Sequence, residues 1–451
     1  MLEELRAELG DALITEPSAL DALRADKSGQ RSASRPLALV EAREVAHVQA
    51  ALRWASAHGI PVVPRGAGTG LAGGAIAQEG ELVIGLAGMN RVLEIDARNE
   101  LAVVEAGVLN AGLNAALAPH GLWYAPDPAS RDISTIGGNI ATNAGGLMCV
   151  KYGVTREAVL GLKVVLADGR LLELGHRTVK GVTGYDLTAL LVGSEGTLGV
   201  IVEATVRVRP RVHGEVSTIG AAFPDVASAA RAASAITAAG IRPAALELLD
   251  AASLEAIGEL LEVELPTGAW LLIRTDGPAA GSEADAVAEI VRAHGGVPER
   301  SADAEAGERL LAIRRAFHPA MERRGTVLIE DVAVPRTALP DMFAAIVRIE
   351  REHGIPIPTV AHAGDGNLHP NFVYVPDPDD PLAVPERVWA AADELFRECL
   401  RLGGTLTGEH GVGLLKRRWL RQELGDDAVE LQRRIKAVFD PAGILNPGKV
   451  F

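Results

Sequence analysis

The sequence predicts an α+β fold in two domains, and three observations carry that expectation. Its 451 residues suit two or three packed cores, at roughly 100–200 residues per domain. Helical and strand-like periodicities both occur, with no fixed-period repeat and no low-complexity tract. At Pro210 the pattern changes from short strands and glycine-rich loops to longer helices alternating with β-rich runs.

Taken in order, Leu37–Val40 reads as a strand, Glu44–His58 as an amphipathic helix and Ile60–Pro64 as a strand feeding a glycine-rich loop, a β-α-β beginning. From Glu81 to Gly107 the runs shorten to Leu82–Ile84, Val92–Ile95 and Leu101–Val104, separated by turn residues. Val159–Leu166, the Asp168-Gly169 turn and Leu171–Leu174 have the pattern of a hairpin, and Gly199–Arg209 alternates as a long strand that Pro210 stops. Beyond it, Asp225–Ala239, Gly281–His294, Ala304–Arg324 and Leu339–His353 have helical spacing, with Leu271–Thr275 and Val327–Val334 as strands. From Pro385 the chain reads as mostly helical to Asp440, followed by a turn-rich tail expected to rejoin the first domain. The expected divisions are residues 1–210, 211–425 and 426–451.

Composition narrows the function. Hydrophobic residues at 48% and charged residues at 23% fit a globular chain. No apolar run approaches the roughly 18 residues of a membrane span, and the acidic first turn (Glu3, Glu4, Arg6, Glu8) lacks the basic start of a secretory signal. A formal charge of -15 repels a phosphate backbone and disfavours nucleic acid. Cys149 and Cys399 are too few for a disulfide framework, an iron–sulfur cluster or a cysteine zinc site, so a reducing cytoplasm is expected.

Three groups of residues can carry chemistry. Pro64, Arg65, Gly66, Ala67, Gly68, Thr69 and Gly70 open a run to Gly74 in which glycines let backbone N–H groups converge on an anion. Gly68, Gly70 and Gly73 satisfy GxGxxG, but Gly80 arrives too soon for the helix that a dinucleotide fold needs. Small and amide-bearing residues recur at Ser134–Asn139, Asn143–Gly146, Lys151–Gly153 and Gly193–Gly199, which together suit a large, extended, partly flat ligand better than four unrelated turns. The third group is His362-Ala-Gly-Asp-Gly-Asn-Leu-His369. With Asp365-Gly366 as the centre of a tight hairpin, His362 pairs with His369 and both imidazoles share one face, close enough to converge on a metal ion. Apart from His410, the other eight histidines, His47, His58, His120 and His294 among them, lack such an arrangement. Glu409 and His410 add a further ligand and a base; the alternative is that Glu409 caps a helix starting near Gly411.

Those residues meet a family. The chain resembles the FAD-linked oxidases with a vanillyl-alcohol-oxidase-type, or PCMH-type, flavin fold, in the branch of D-lactate dehydrogenases, glycolate oxidase flavoprotein subunits and D-2-hydroxyglutarate dehydrogenases. The resemblance runs from about Pro36 to Lys449 through PRGAGTGLAGG at Pro64, APDPAS at Ala125, TIGGNIATNAGG at Thr135, KYG at Lys151, GYDL at Gly184, GSEGTLG at Gly193, HAGDGNLH at His362, GEHGVG at Gly408 and NPGK at Asn446.

The resemblance implies a two-lobed PCMH-type FAD-binding domain and an α+β cap. Arg65 to Gly70 would hold the pyrophosphate. Pro126, Asp127, Ser130, Thr135, Gly137, Gly138 and Asn139 would line the flavin, and Asn143, Gly145, Gly199, Val200, Ile201 and Asn446 would complete the cradle. With no histidine between 64 and 74, FAD is expected to bind noncovalently. His362, His369 and Glu409 match the family's ligands for a divalent metal, zinc or manganese, and His410 its catalytic base. Arg314 is placed to take the substrate carboxylate, with Arg315 as its competitor. The implied reaction oxidises a D-2-hydroxy acid to the 2-oxo acid, with the proton passing to His410 and hydride to the flavin.

Glu330-Asp-Val-Ala-Val-Pro335 departs from the lysine-containing stretch of hydroxyglutarate enzymes, which favours D-lactate or glycolate over D-2-hydroxyglutarate. The electron acceptor is not readable among quinone, cytochrome, flavoprotein, iron–sulfur subunit and oxygen. A cytoplasmic place is expected, with peripheral attachment at the inner membrane face and a homodimer both compatible. A metallohydrolase and a noncatalytic flavin electron-transfer subunit are the remaining alternatives.

Overall fold

The computed structural model describes residues 2–380 and 383–451. The chain separates into two units. One comprises the chain up to Gly145, Gly153–Arg211 and Glu409–Phe451; the other comprises Gly146–Tyr152 and Val212–Gly408. No helix among the described residues is long and apolar enough to cross a membrane.

The first unit holds two principal sheets. β1 (Leu13–Ile14), β2 (Ala38–Glu41), β3 (Val62–Arg65) and β4 (Leu82–Gly85) lie in the order β1-β2-β4-β3, with β2 and β3 both parallel to β4. Helix α1 (Val45–His58) makes the crossover from β2 to β3. It forms because Val48, Ala51, Leu52 and Ala55 share one buried face, and it ends at Gly59, left-handed at φ 64°. The β-α-β start is therefore realised with β4 between its two strands. β5 (Val92–Asp96), β6 (Leu101–Glu105), β7 (Val159–Val165), β8 (Leu171–Gly175) and β9 (Val200–Arg207) form an antiparallel sheet in the order β5-β6-β9-β7-β8. The Asp168-Gly169 hairpin forms with Val165 opposite Leu171. A short helix, α2 (Ile136–Thr142), buries Ile136 and Ile140 in a core shared with Leu162, Val164, Ile201 and Ala204.

In the second unit, β10 (Glu215–Phe223), β11 (Ala245–Leu249), β12 (Ala269–Gly277), β13 (Val297–Arg300), β14 (Thr326–Ile329), β15 (Val332–Ala333), β16 (Thr359–His362) and β17 (Asn367–Tyr374) build one sheet. Its order is β13-β10-β12-β11-β16-β17-β14, with β15 also on β17. Central β11 and β16 are buried along their whole length, which puts any polar side chain they carry away from water.

Four expectations are corrected. Ala304–Arg324 is two helices, α3 (Ala304–Arg315) and α4 (Phe317–Arg324), because Pro319 has no N–H for the Arg315 carbonyl. Val327–Val334 splits around Glu330-Asp331: Glu330 N–H donates to Pro370 O at 3.0 Å, but Pro370 cannot return the bond. No helix starts near Gly411, since Gly411 (φ 89°) and Gly413 (φ 48°) are left-handed. Finally, the return to the first unit begins at Glu409, not 426: Leu414 N–H reaches Ala72 O at 2.8 Å and Val450 N–H reaches Gly413 O at 2.9 Å.

Candidate active site

In the first unit the loop after β3 is shaped by its own arginine. Arg65 Nη1 donates to Ala75 O at 2.6 Å and Nη2 to Ala25 O at 2.9 Å, so this guanidinium braces the loop. The N–H groups of residues 66–74 donate to no backbone carbonyl among the described residues, leaving a row of donors suited to a phosphate. Gly70 fixes the loop from below, its carbonyl accepting Lys27 N–H at 3.0 Å. Ala67 is exposed, and Pro64, Gly68 and Thr69 are half-buried.

Close backbone approach explains the glycines. A Cβ on Gly66 would lie 2.5 Å from Thr135 Oγ1, and one on Gly137 would lie 2.6 Å from Ala106 Cβ. Thr135 caps α2 by accepting Gly138 N–H at 3.2 Å. Buried Asn110 joins two segments, its Nδ2 donating to Pro126 O at 3.0 Å and to Asn139 Oδ1 at 3.3 Å; Asn139 Nδ2 in turn reaches Ser134 Oγ at 3.1 Å. Asp127 is buried, and Ser130 O accepts Ser134 N–H at 2.7 Å. Asn143 ends α2 at φ 52° and its Oδ1 accepts Arg156 N–H at 2.9 Å. A Cβ on Gly145 would lie 2.3 Å from Glu409 Oε2, and one on Gly199 would lie 2.4 Å from Val164 Cγ1. Val200 and Ile201 begin β9, opposite Val165 and Val164. Asn446 donates through Nδ2 to Gly74 O at 3.0 Å and to Glu195 O at 2.8 Å.

Residues far apart in sequence thus assemble within one unit around a row of backbone donors and a glycine-lined approach. That chemistry fits the pyrophosphate and flat ring of FAD. Glu195 belongs to this assembly, although in the sequence only its surrounding glycines stand out. Its carboxylate accepts Val412 N–H at 2.7 Å and Gly413 N–H at 2.9 Å. Burial pushes it up to about 7, against the pull of those two bonds and of Lys416.

The second unit contributes the histidine pair. His362 pairs with Asn367, and His369 with Val360, so the predicted direct pairing of the two histidines is displaced. Gly364 N–H bonds Leu246 O in β11 at 3.1 Å, which withdraws it from the hairpin ladder, and Gly366 N–H closes a wider turn on His362 O at 3.0 Å. The two histidines remain on one face as diagonal neighbours, with ring centroids 5.0 Å apart and planes at 84°.

Each ring has a buried carboxylate beside its Nδ1. His362 Nδ1 lies 2.8 Å from Glu247 Oε1, and His369 Nδ1 lies 3.8 Å from Asp331 Oδ1. Glu247 also accepts Arg314 Nε at 2.8 Å. Burial pushes the Glu247 carboxyl up, but His362 and Arg314 together outweigh it and hold it below its ordinary range. Asp331 accepts Asn367 Nδ2 at 2.6 Å and Thr407 Oγ1 at 2.6 Å. At hydrogen-bond distance, the Glu247 carboxylate on Nδ1 turns the other ring nitrogen of His362 outward as a ligand atom, and with the His369 ring beside it this donor set fits a divalent metal.

Sequence reasoning misses Glu247 as a partner. The available signal is a single acidic residue inside the apolar strand Ala-Leu-Glu-Leu-Leu, since a charge buried in a central strand needs an opposite one. Arg314 is nearly buried on Glu247, whereas Arg315 faces Glu308 at the surface. Glu409 and His410, both half-buried, open the last segment of the first unit immediately after Gly408 ends the second.

The chain matches the family of FAD linked oxidases, C-terminal domain, over residues 213–450, and an FAD binding domain over residues 36–175. It is 42% identical over 426 residues to the glycolate oxidase subunit GlcD of Bacillus subtilis (strain 168), covering 93% of this chain and 89% of that one. It is 36% identical over 446 residues to a D-lactate dehydrogenase of Archaeoglobus fulgidus, covering 95% of each. A solved p-cresol methylhydroxylase shares the fold at a TM-score of 0.80 and 18% identity, covering 100% of this chain and 96% of that one. With its flavin-binding and C-terminal portions both matched and relatives aligned over nearly its whole length, the chain belongs to the FAD-linked oxidases.

Proposed function

We propose that this protein oxidises a D-2-hydroxy acid, D-lactate or glycolate before larger acids, to the corresponding 2-oxo acid with noncovalent FAD and a divalent metal, zinc or manganese. The observation that carries this reading is the carboxylate-backed His362–His369 pair in a chain whose relatives include a named glycolate oxidase subunit and D-lactate dehydrogenases. The first unit is assigned to FAD and the second to substrate. When bound, the metal supplies Lewis acidity toward the substrate hydroxyl and FAD supplies a two-electron acceptor.

The protein's own residues do the rest. His362 and His369, with Glu409 as third ligand, hold the metal; Glu247 keeps His362 in the tautomer that presents Nε2. Arg314 orients the substrate carboxylate, its planar fork being suited to a second anion while Nε stays on Glu247. His410 accepts the hydroxyl proton as general base. The loop 64–74 holds the cofactor through backbone donors, and Gly137 and Gly138 at the start of α2 leave room for its close approach.

Anaerobic titration tests this. A flavin- and metal-loaded sample should bleach rapidly with D-lactate or glycolate, less with D-2-hydroxyglutarate and not with L-lactate, and should stop bleaching after chelation or in His410→Ala. Failure with every acid would remove the hydroxy-acid assignment while leaving the family membership intact.

A further inference from the structure

The turn bearing Glu409 and His410 has no helix or strand of its own, yet it is seated on both sides within the first unit. Glu195, 9% exposed, grips it through Val412 N–H at 2.7 Å and Gly413 N–H at 2.9 Å, one on each carboxylate oxygen. A Cβ on Gly411 would lie 3.0 Å from Glu195 Cδ, and one on Gly413 would lie 2.1 Å from Ala72 O, so the backbone sits tightly against both neighbours. The main chain of Glu195 is anchored in turn: its carbonyl accepts Asn446 Nδ2, and the same amide reaches Gly74 O at the end of the phosphate loop. Peptide groups just past His410 are therefore linked, through Glu195 and Asn446, to the loop proposed to carry the FAD pyrophosphate.

We propose that Glu195 is the positioning residue of the Glu409–His410 turn, referencing it to the 64–74 loop through Asn446. The assignment rests on the proposed function in one respect, that His410 takes the substrate proton. A carboxylate suits the task because it offers an acceptor to each of two neighbouring N–H groups. Glutamine offers only one and sets its NH2 against the other; alanine offers none. Proton and hydride transfer need reacting atoms placed within a few tenths of an ångström, and a misplacement of roughly 1 Å costs on the order of a hundredfold.

The test compares wild type, Glu195→Gln and Glu195→Ala, each loaded with FAD and metal. Three quantities are measured: the FAD dissociation constant by flavin fluorescence, the limiting rate and half-saturating concentration for anaerobic reduction by the best hydroxy acid, and amide hydrogen exchange. In Glu195→Gln the limiting rate is expected to fall roughly ten- to a hundredfold with FAD affinity and half-saturation changed less than about threefold, and Glu195→Ala falls further. Exchange should accelerate about tenfold or more at Val412 and Gly413 and not across residues 45–58.

An unchanged limiting rate in Glu195→Gln, or loss of FAD binding, half-saturation and rate together, overturns the positioning role. If no acid reduces the wild type, the hydroxy-acid reading fails and the exchange data decide separately: acceleration confined to 409–416 supports the clamp, and unchanged exchange overturns it.

Discussion

In the first unit the surface assigned to FAD is made of backbone: N–H groups of residues 66–74, the capped start of α2, and glycines whose missing Cβ atoms let segments approach. In the second unit the site is made of side chains, with His362 and His369 projecting from a buried hairpin onto Glu247 and Asp331. The backbone site tolerates water and needs space; the side-chain site excludes water and needs charge balance. The two should therefore break in different ways, through steric crowding in one and uncompensated charge in the other.

The largest effect is expected at Glu247. Replacing it with alanine leaves Arg314 facing a buried gap and removes the acceptor on His362. Breaking a buried pair in this way costs about 3–5 kcal/mol, and with His362 as the proposed metal ligand, loss of the carboxylate behind it is expected to weaken metal binding on the order of 10–100-fold. Denaturant unfolding and metal titration of Glu247→Ala and Glu247→Gln check both figures. A variant as stable and as metal-avid as the wild type would show that this carboxylate does not organise the site.

Next comes crowding in the first unit. Gly66→Ala puts a methyl group 2.5 Å from Thr135 Oγ1, an overpacking expected to cost about 1–3 kcal/mol and to weaken FAD binding. Adding Thr135→Ala removes the clashing oxygen at the expense of a helix cap, itself about 1 kcal/mol. Recovery of FAD affinity in the double variant, read as a double-mutant cycle, would attribute the loss to that one approach.

The same contrast explains what can be read from the sequence. Glycine clusters are local, so residues 64–74 and 134–146 are legible as a ligand cradle from residue order alone. The α2 helix and its Thr135 cap are not, because Gly137 and Gly138 make residues 136–142 poor helix formers and the helix start is tied to Ala106 and Val108 carbonyls about thirty positions away. The hairpin histidines are legible as a pair, but their register is not, because Gly364 N–H is taken by Leu246, a residue more than a hundred positions away. Glu247 and Glu195 are hidden for the same reason: a buried carboxylate declares its partners only after distant strands and loops have come together. Proline effects lie between these cases, since Pro319 and Pro370 are visible in the sequence but the backbone groups they leave unmatched depend on element boundaries.

A smaller effect should appear in pH dependence. Asp250 caps a helix of the second unit and accepts both Ser253 N–H and Thr359 N–H at 2.8 Å. Burial pushes its carboxyl up to about 6, despite those bonds. A carboxyl raised on folding binds its proton more readily in the native state, so its contribution to stability is present below about pH 4 and is lost as pH rises through about 6. Urea unfolding between pH 4 and 7 should show that decline, and Asp250→Asn should flatten it. An identical slope in the variant would place the titration elsewhere.

The smallest expected effect separates two adjacent arginines. Arg314 has a side chain 12% exposed against a Glu247 side chain that is fully buried, whereas the Arg315 side chain is 45% exposed and meets Glu308, 50% exposed, at 3.5 Å. An exposed pair of this kind gains little because water screens both charges and two long side chains must be ordered. Arg315→Ala is therefore expected to change stability by less than about 0.5 kcal/mol and to leave flavin reduction unchanged. Arg314→Ala, which strands the Glu247 charge, should approach the Glu247→Ala loss. If Arg315→Ala instead proved the more damaging of the two in reduction assays, the substrate-carboxylate role would pass to Arg315, and the Glu247–Arg314 pair would be left as a purely structural support for His362.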